Sequence, residues 1–262
     1  MGNVHDAIRW GTDYFLKASS RRKRLYVQVG DPEEDHHCWV RPENMKTKRT
    51  VLKIDSNTPG TEIAAETAAA MAAASIVFRD SDRKYSHSLL NKAKSLFVFS
   101  KSHKGTYDGE CPFYCSYSGY NDELMWAATW LYMATRKPAY LKYIEEESIS
   151  ASVTEFNWDL KYAGAQILLT KLHFEGTKNL DTFKVHADSF ICSVLPESPY
   201  HQINLSPGGF VHLRDGANTQ YATGTALLFT VYGDLLAKHK QKITCGDKQF
   251  DPSHLLSFAK IQ

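Results

Sequence analysis

The spacing between the predicted helices constrains the fold of this chain more than any other sequence feature. Hydrophobic residues recur with helical periodicity over most of the chain, and the connections between these stretches alternate between long and short. Antiparallel helices joined in this way place every long connection at one end and every short one at the other. We predict helices over residues 3–18, 61–79, 82–101, 121–135, 138–147, 158–173, 180–194, 220–239 and 253–262.

This alternation predicts an array of helical hairpins with one loop-covered face. Most native connections are short, so the recurrent long ones (19–60, 102–120, 148–157 and 195–219) indicate a function. A closed α/α barrel fits best, because it buries an inner and an outer row of helices around a common core. An α-solenoid stays the alternative, although no repeat of fixed period is visible. Strand-like alternation is confined to short stretches such as Leu25–Val29, so we predict an all-α fold class.

The overall charge restricts the class of partner. A net charge of +2 over 262 residues gives no broad electropositive field, so neither nucleic acid nor a membrane surface is a predicted partner. We interpret the basic cluster Arg21–Arg24 as a solvated loop rather than a phosphate site. No apolar run is long enough to span a bilayer, and the N-terminus lacks the apolar core of a signal peptide.

The five cysteines leave at least one thiol free, and their pairing cannot be read from the sequence. Cys111 and Cys115 are four residues apart, but no second pair of ligands lies at zinc-finger spacing. His36 and His37 beside Asp35 form another candidate metal site. Adjacent histidines on an extended segment point to opposite sides, however, so we predict no metal and no cofactor.

Aromatic and polar residues are concentrated in the long connections. Such mixtures are typical of carbohydrate sites, since rings stack on sugar faces and polar side chains bind hydroxyl groups. The short connections are merely polar, and this asymmetry favours a carbohydrate-binding face. The residues in or next to these connections include His36, Trp39, Arg41, Tyr114, Tyr117, Asp122, Trp158 and Tyr221.

Structural roles are open for several of these residues. Buried loop packing is the alternative for the aromatic run between Cys111 and Tyr120. Arg41 has an alternative role in tying down its loop through an ion pair with Glu43 or Asp35. Asp122 and Glu123 stand at a predicted helix start, where at least one of them complements the helix dipole.

Six segments together closely resemble plant endo-β-1,4-glucanases of glycoside hydrolase family 9. The likeness runs in the right order along nearly the whole chain. The segments are YVQVGDPEEDHHCWVRPENM (26–45), IDSNTPGTEIAAETAAAMAAASIVF (54–78), CPFYCSYSGYNDELMWAATWLYMAT (111–135), FNWDLKYAGAQILL (156–169), HADSFICSVLP (186–196) and SPGGFVHLRDGANTQYATGTALL (206–228).

This resemblance implies an (α/α)₆ barrel of helical hairpins, incomplete at both ends, with an open cleft across one end. It implies one catalytic-type domain over residues 1–262 that lacks the N-terminal and C-terminal parts of the barrel. The implied activity is endo-β-1,4-glucanase hydrolysis of β-1,4-glucan by inversion, carried out by a monomer in the cell wall or another extracellular location. In the implied cleft, His36, Trp39, Tyr114 and Tyr117 line the walls, Trp158 stacks on a glucosyl ring, Tyr221 faces the centre, and Arg41 and Asp122 support these residues.

The chain departs from the family pattern in its catalytic carboxylates. By the resemblance, two aspartates that activate water lie upstream of the first helix. A His-Arg segment and a proton-donating glutamate lie downstream of the last. We therefore expect no catalytic residue within this chain and an impaired hydrolytic activity. The alternative is a non-catalytic glucan-binding protein or a degenerate member of the family.

Overall fold

The computed structural model describes residues 2–21, 23–109 and 111–262 of the chain. Helices dominate it, and the fold class is all-α as predicted. The helices are α1 Gly2–Ala18, α2 Pro32–His36, α3 Thr61–Val77, α4 Arg83–Ser102, α5 Asn121–Thr135, α6 Pro138–Glu146, α7 Tyr162–Phe174, α8 Asp181–Val194, α9 Thr219–Lys238 and α10 Pro252–Ile261. The strands are β1 Arg24–Val29, β2 Val51–Asp55, β3 Ile243–Cys245 and β4 Lys248–Phe250.

The long predicted helices are all present, and most begin and end within one or two residues of the predicted bounds. The short helix α2, a 3₁₀ turn at Pro42–Asn44 and three of the strands were not predicted. No helix in the described part of the chain combines the length and apolar character needed to cross a bilayer.

The chain packs as two compact units, Met1–Ile144 and Glu145–Gln262. The prediction of a single domain over 1–262 stays a prediction. In the first unit, α3 packs against both α4 and α5. Its alanines are completely buried at Ala64, Ala65 and Ala68, because side chains this small let neighbouring helices approach closely from several sides. The helix is therefore the centre of this unit rather than a surface helix.

A two-stranded antiparallel hairpin organises the first long connection. In it, β1 pairs with β2, and Leu25 lies opposite Ile54. Both side chains are buried, so the hairpin contributes to the core. A Cβ on Gly60 would stand 2.6 Å from Cγ2 of Ile54, which shows how closely the chain returns to the hairpin before α3 begins. The hairpin thus fixes both ends of the segment that carries α2.

In the second unit, α7 packs on α8 and α9, and α9 packs on α10. Its core contains Phe190, Phe229 and Tyr232, none of which has exposed surface. A disulfide between Cys192 and Cys245 joins α8 to the β3–β4 hairpin. A second disulfide, in the first unit, joins Cys111 to Cys115, and Cys38 is free. The pairing that the sequence left open is therefore Cys111–Cys115 and Cys192–Cys245.

Candidate functional site

The short helix α2 positions the first candidate residue, His36. Asp31 caps this helix, and its Oδ1 accepts hydrogen bonds from the backbone N–H groups of Glu33 (3.0 Å) and Glu34 (3.2 Å). Pro32 fits the first helical position because its missing N–H is not needed there. The segment Asp-Pro-Glu-Glu therefore encodes a helix start within the first long connection.

The prediction that His36 and His37 lie on an extended segment is wrong, because α2 carries the chain through His36 and His37 caps it. Nδ1 of His36 contacts the carbonyl oxygen of Pro32 at 2.7 Å, and Nδ1 of His37 contacts that of Glu33 at 2.8 Å. Each ring is thus held to its own helix. Among the described residues, no group of three or more His, Cys, Asp or Glu side chains is placed to hold a metal ion.

His36 brings the first and second long connections together. Its ring stacks on Phe113 with a centroid distance of 3.5 Å and an interplanar angle of 12°. The ring of Tyr114 lies 5.7 Å away and is half exposed. Sequence reasoning missed Phe113 as a contact of His36, although it belongs to the aromatic run that drew attention to this loop. His36, Phe113 and Tyr114 form the first cluster of candidate residues.

The aromatic loop around Tyr117 is held by its own short contacts. The hydroxyl of Tyr117 donates to the carbonyl oxygen of Pro112 at 2.8 Å, and the hydroxyl of Ser116 donates to that of Gly119 at 2.7 Å. Tyr117 is nevertheless 72% exposed and Tyr114 50% exposed. Loop burial was the alternative for this run, and it is wrong for these two rings, because both are accessible to solvent.

Trp39 and Arg41 extend beyond the first cluster. Trp39 is fully exposed, and Arg41 is also exposed. In the part of the chain that the structure describes, Arg41 forms no ion pair with Glu43 or Asp35. Among the described residues, neither forms a hydrogen bond, ion pair or ring contact with His36 or Tyr114.

Asp122 lies beneath the aromatic loop rather than at its surface. Together with Glu123 it occupies the first turn of α5, and the two side chains are 0% and 3% exposed. Oδ1 of Asp122 accepts a hydrogen bond from the hydroxyl of Ser118 at 3.5 Å. Carboxylates in a first helical turn are stabilised by the helix dipole. Both carboxylates are therefore below the surface that the exposed rings of this loop present.

In the second unit, Trp158 stands on a turn that delays the start of α7. The predicted helix start at residue 158 is wrong, since α7 begins at Tyr162. Oδ1 of Asn157 accepts from the backbone N–H groups of Asp159 at 2.8 Å and of Leu160 at 3.2 Å. This side-chain turn competes with helix formation, as asparagine commonly does. It leaves Trp158 44% exposed.

A chain of polar contacts connects the Trp158 turn to Tyr221 at the start of α9. Glu155 accepts from Nδ2 of Asn157 at 3.0 Å, and an Arg214 nitrogen lies 3.1 and 3.0 Å from its two carboxylate oxygens. The Arg214 guanidinium lies 5.2 Å from the ring centroid of Tyr221, within reach of a cation–π interaction. We call Glu155 and Arg214 the brace, and we call Asn157, Trp158, Tyr221 and the brace the second cluster.

The backbone also fixes this arrangement. A Cβ on Gly224 of α9 would lie 2.8 Å from the carbonyl oxygen of Phe156, so the turn and the helix are in direct backbone contact. Tyr221 is mostly buried at 9% exposure, whereas Trp158 presents nearly half of its surface. The brace was not predicted, and its only sequence signal is one acid and one base in two different long connections.

Both clusters present aromatic side chains, and the carboxylates beside them are otherwise engaged. An inverting glycosidase needs one carboxylic acid and one carboxylate about 6.5–9.5 Å apart, with room for a water molecule between them. Asp122 and Glu123 are buried, and Glu155 is bonded to Arg214 and Asn157. These clusters therefore combine exposed rings for stacking with polar groups that hold the rings in place.

The family model described as glycosyl hydrolase family 9 matches residues 1–262. Endoglucanase 16 of Arabidopsis thaliana is 70% identical over 260 residues, which are 99% of this chain and 54% of that protein. The chain thus spans about half the length of the curated relatives it matches.

Solved structures agree over almost the whole chain. An endoglucanase from the termite Nasutitermes takasagoensis matches with a TM-score of 0.80 and 33% identity, covering 98% of this chain and 55% of that one. The cellulase Cel9M of C. cellulolyticum, in complex with cellobiose, matches with a TM-score of 0.81 and 25% identity, covering 100% and 57%. These matches confirm the predicted fold class, that of the (α/α)₆ barrel cellulases.

Proposed function

We propose a function from one premise: the chain belongs to glycosyl hydrolase family 9. The proposed function is that of a cellulase-type endo-β-1,4-glucanase, in which these 262 residues provide most of the surface that binds β-1,4-glucan. The observation that carries the proposal is the high identity to a plant endoglucanase along 99% of the chain.

Each candidate residue has a proposed role. Exposed rings stack on glucosyl units, because the faces of sugar rings are apolar and their edges carry the hydroxyl groups. We assign stacking to Trp158 and Trp39. His36, Tyr114 and Tyr117 line the binding surface, Tyr221 contacts the glucan near the brace, and Arg41 and Asp122 support these residues.

The hydrolytic step is assigned to other parts of the protein. General acid and general base groups each contribute about 10²–10⁴-fold to the rate, so a chain without them retains little activity. The acids described beside or within the two clusters are buried or bonded to other side chains. We propose that the reacting carboxylates are not among these 262 residues.

Expression of the 262-residue chain tests this assignment. Reducing ends released from soluble carboxymethyl cellulose are measured, with the full-length Arabidopsis endoglucanase as a positive control. We expect turnover at least about 10²-fold below that control, in line with the loss of one catalytic group. Comparable turnover would show that the chain contains its own acid and base.

The alternative is a glucan-binding protein without hydrolytic function. It is favoured by the combination of exposed rings and engaged carboxylates in the two clusters. Titration of the chain with cellotetraose, followed by tryptophan fluorescence, tests the binding that both proposals share. Binding without turnover, in the chain and in any longer form of the protein, would favour the alternative. Absence of quenching at millimolar cellotetraose would contradict both.

An extracellular location, such as the cell wall, is also proposed. Disulfides form and persist in oxidising compartments, and the structure contains two of them. Peptide mapping under non-reducing conditions, on protein extracted from a cell-wall fraction, should recover both cystine peptides. Recovery of the protein only from a reducing compartment with free thiols would contradict this location.

We expect the protein to be a monomer.

A further inference from the structure

The first unit contains a cavity that none of the candidate glucan-binding residues lines. It lies beside the last turns of α4 and has a volume of about 500 Å³. Lys23, Lys94 and His103 line it, together with the hydroxyls of Ser95 and Ser102 and the half-exposed side chain of Val98. We call it the basic cavity. No carboxylate lines it among the described residues, so the polar side chains described there are hydrogen-bond donors, cations or hydroxyls.

The helix α4, which supplies most of the lining residues, carries basic but no acidic side chains. The 20 residues of α4 contain Arg83, Lys84, Lys92, Lys94 and Lys101 but no aspartate or glutamate. The whole chain is nearly balanced, with 31 basic and 29 acidic residues, so this acid-free helix is a local departure. Its lysines therefore have no acidic neighbour three or four residues away on their own helix.

Lys94 and Lys23 keep their charges unneutralised. In the part of the chain that the structure describes, neither lysine forms an ion pair. Burial lowers the pKa of Lys94, and the positive charge of nearby Lys137 lowers it further. An anion bound in the cavity would offset this effect, because a nearby opposite charge favours the charged form of an ammonium group.

His103 is held in an orientation that leaves one ring nitrogen available. Its ring stacks on Phe99 with a centroid distance of 5.0 Å, and its Nδ1 lies 3.3 Å from the carbonyl oxygen of Phe99. Because a carbonyl only accepts hydrogen bonds, Nδ1 carries the proton, and Nε2 remains for a ligand. A sugar hydroxyl can donate to this nitrogen.

We propose that the basic cavity binds the carboxylate and hydroxyl groups of an acidic polysaccharide. Lysines provide the positive charge for a carboxylate, the serines and His103 match hydroxyl groups, and exposed Val98 offers an apolar contact for a sugar ring. Nucleic acid fits less well. Among the described residues, no arginine lines the cavity for bidentate phosphate contacts, and Phe99 is only 6% exposed, which leaves no face of its ring for a base to stack on.

Calorimetric titration of the 262-residue chain with trigalacturonate tests the proposal. We expect saturable binding that weakens at least tenfold in the double variant Lys23→Gln/Lys94→Gln and weakens with added salt. Lys94→Arg keeps the charge and should stay within about threefold of the unsubstituted protein. The matched control is Lys84→Gln on the same helix, about 15 Å from Lys94 along the axis, which should bind normally.

Three outcomes would overturn the proposal: no binding of trigalacturonate by the folded chain, equal binding of neutral cellotriose, or tighter binding of a single-stranded RNA of equal charge. Circular dichroism and thermal unfolding establish that each variant is folded. The inference does not rest on the proposed function. Cellotetraose quenching of tryptophan fluorescence in the same samples reports the glucan site separately, so the two proposals can fail independently.

Discussion

Trp158 shows how one side chain can be free to bind while its backbone is fixed. Nearly half of its surface is exposed, yet Asn157 defines the turn on which it stands. The carbonyl oxygen of Trp158 also accepts a hydrogen bond from Nζ of Lys161. A preorganised ring loses little conformational freedom when it stacks on a ligand. Function at this position is therefore separable from stability.

Replacing Trp158 with alanine should weaken cellotetraose binding about tenfold, or roughly 1.4 kcal/mol, because the apolar contact between the indole ring and the sugar face is lost. The free energy of unfolding should fall by less than about 1 kcal/mol, since the ring is half exposed. Calorimetry and urea denaturation measure the two effects. Trp10→Ala is the control, because Trp10 is 82% exposed and lies outside both clusters. Equal losses of affinity in both variants would argue against stacking on Trp158.

Tyr232 is the opposite case, a buried group whose role is structural. Its hydroxyl donates to Oδ1 of Asp188 at 2.5 Å, and Lys184 pairs with the other oxygen of that carboxylate. Burial raises the pKa of Tyr232 well above 10.0, and the negative charge of Asp188 raises it further. The folded protein keeps this proton when the unfolded chain would lose it.

Stability should therefore decline with rising pH above about 10, where the tyrosine of the unfolded chain ionises and that of the folded protein does not. In Tyr232→Phe this decline should be shallower, and at neutral pH the variant should lose about 1–3 kcal/mol with the hydrogen bond to a charged acceptor. Urea denaturation between pH 7 and 11 measures both. Tyr200→Phe, at an exposed tyrosine, should keep the original decline. An unchanged slope in Tyr232→Phe would contradict this assignment.

At the scale of elements, the two disulfides differ in how much chain they close. Cys192–Cys245 spans 53 residues and joins α8 to the β3–β4 hairpin, whereas Cys111–Cys115 spans four within one loop. A cross-link restricts the unfolded chain more when its loop is longer. Cys192–Cys245 should therefore stabilise the packing of α8 on the β3–β4 hairpin. Cys111–Cys115 should affect only the conformation of the aromatic loop.

Removal of Cys192–Cys245 by the double variant Cys192→Ser/Cys245→Ser should cost about 2–4 kcal/mol in free energy of unfolding. The matched variant Cys111→Ser/Cys115→Ser should cost clearly less. It should also weaken cellotetraose binding, because the loop that carries Tyr114 and Tyr117 loses its cross-link. Urea denaturation and fluorescence titration compare the two. A larger loss of stability from the short disulfide would contradict the argument from loop length.

The brace also connects two elements, since Glu155 belongs to the Trp158 turn and Arg214 contacts Tyr221 at the start of α9. Arg214→Ala should weaken cellotetraose binding about three- to tenfold by releasing Glu155 and the Trp158 turn. It should cost less than about 1 kcal/mol in stability, as partly exposed ion pairs usually do. Lys242→Ala, which removes an exposed pair with Asp251 in the same unit, is the control. Loss of stability without loss of affinity in Arg214→Ala would reduce the brace to a structural contact.

At the scale of the whole molecule, exposed apolar side chains occur in both units. Trp10 and Tyr14 stand four residues apart on α1, and Leu227 and Val231 stand four apart on α9; all four are substantially exposed. Large exposed apolar patches commonly mark surfaces that bind another part of a protein. The chain also covers only about half the length of its curated relatives.

These surfaces should bind a hydrophobic dye in the isolated chain. Anilinonaphthalene sulfonate fluorescence should fall by about half or more in Trp10→Ser/Leu227→Ser, while helix content by circular dichroism stays constant. Any longer form of the protein should bind less dye if additional residues cover these surfaces. Equal dye binding by the chain and its double variant would show that neither Trp10 nor Leu227 belongs to a dye-binding apolar surface.

The sequence alone determined the helices, because hydrophobic periodicity is a local property that burial on one side imposes on each element. It also identified the aromatic residues of the long connections, since large exposed rings are unusual there. Resemblance to a known family added the fold and the roles of His36 and Trp158, but not their contacts.

Only the tertiary structure decided which residues meet. The stacking of His36 on Phe113, the brace between Glu155 and Arg214, and the pairing of Cys192 with Cys245 all join segments distant in sequence. The extended segment predicted at His36 and the helix predicted from Trp158 were wrong because Asp31 and Asn157 make local side-chain hydrogen bonds that outweigh periodicity. Periodicity describes one face of one element, whereas a site depends on how several elements pack, and packing couples residues that no local pattern relates.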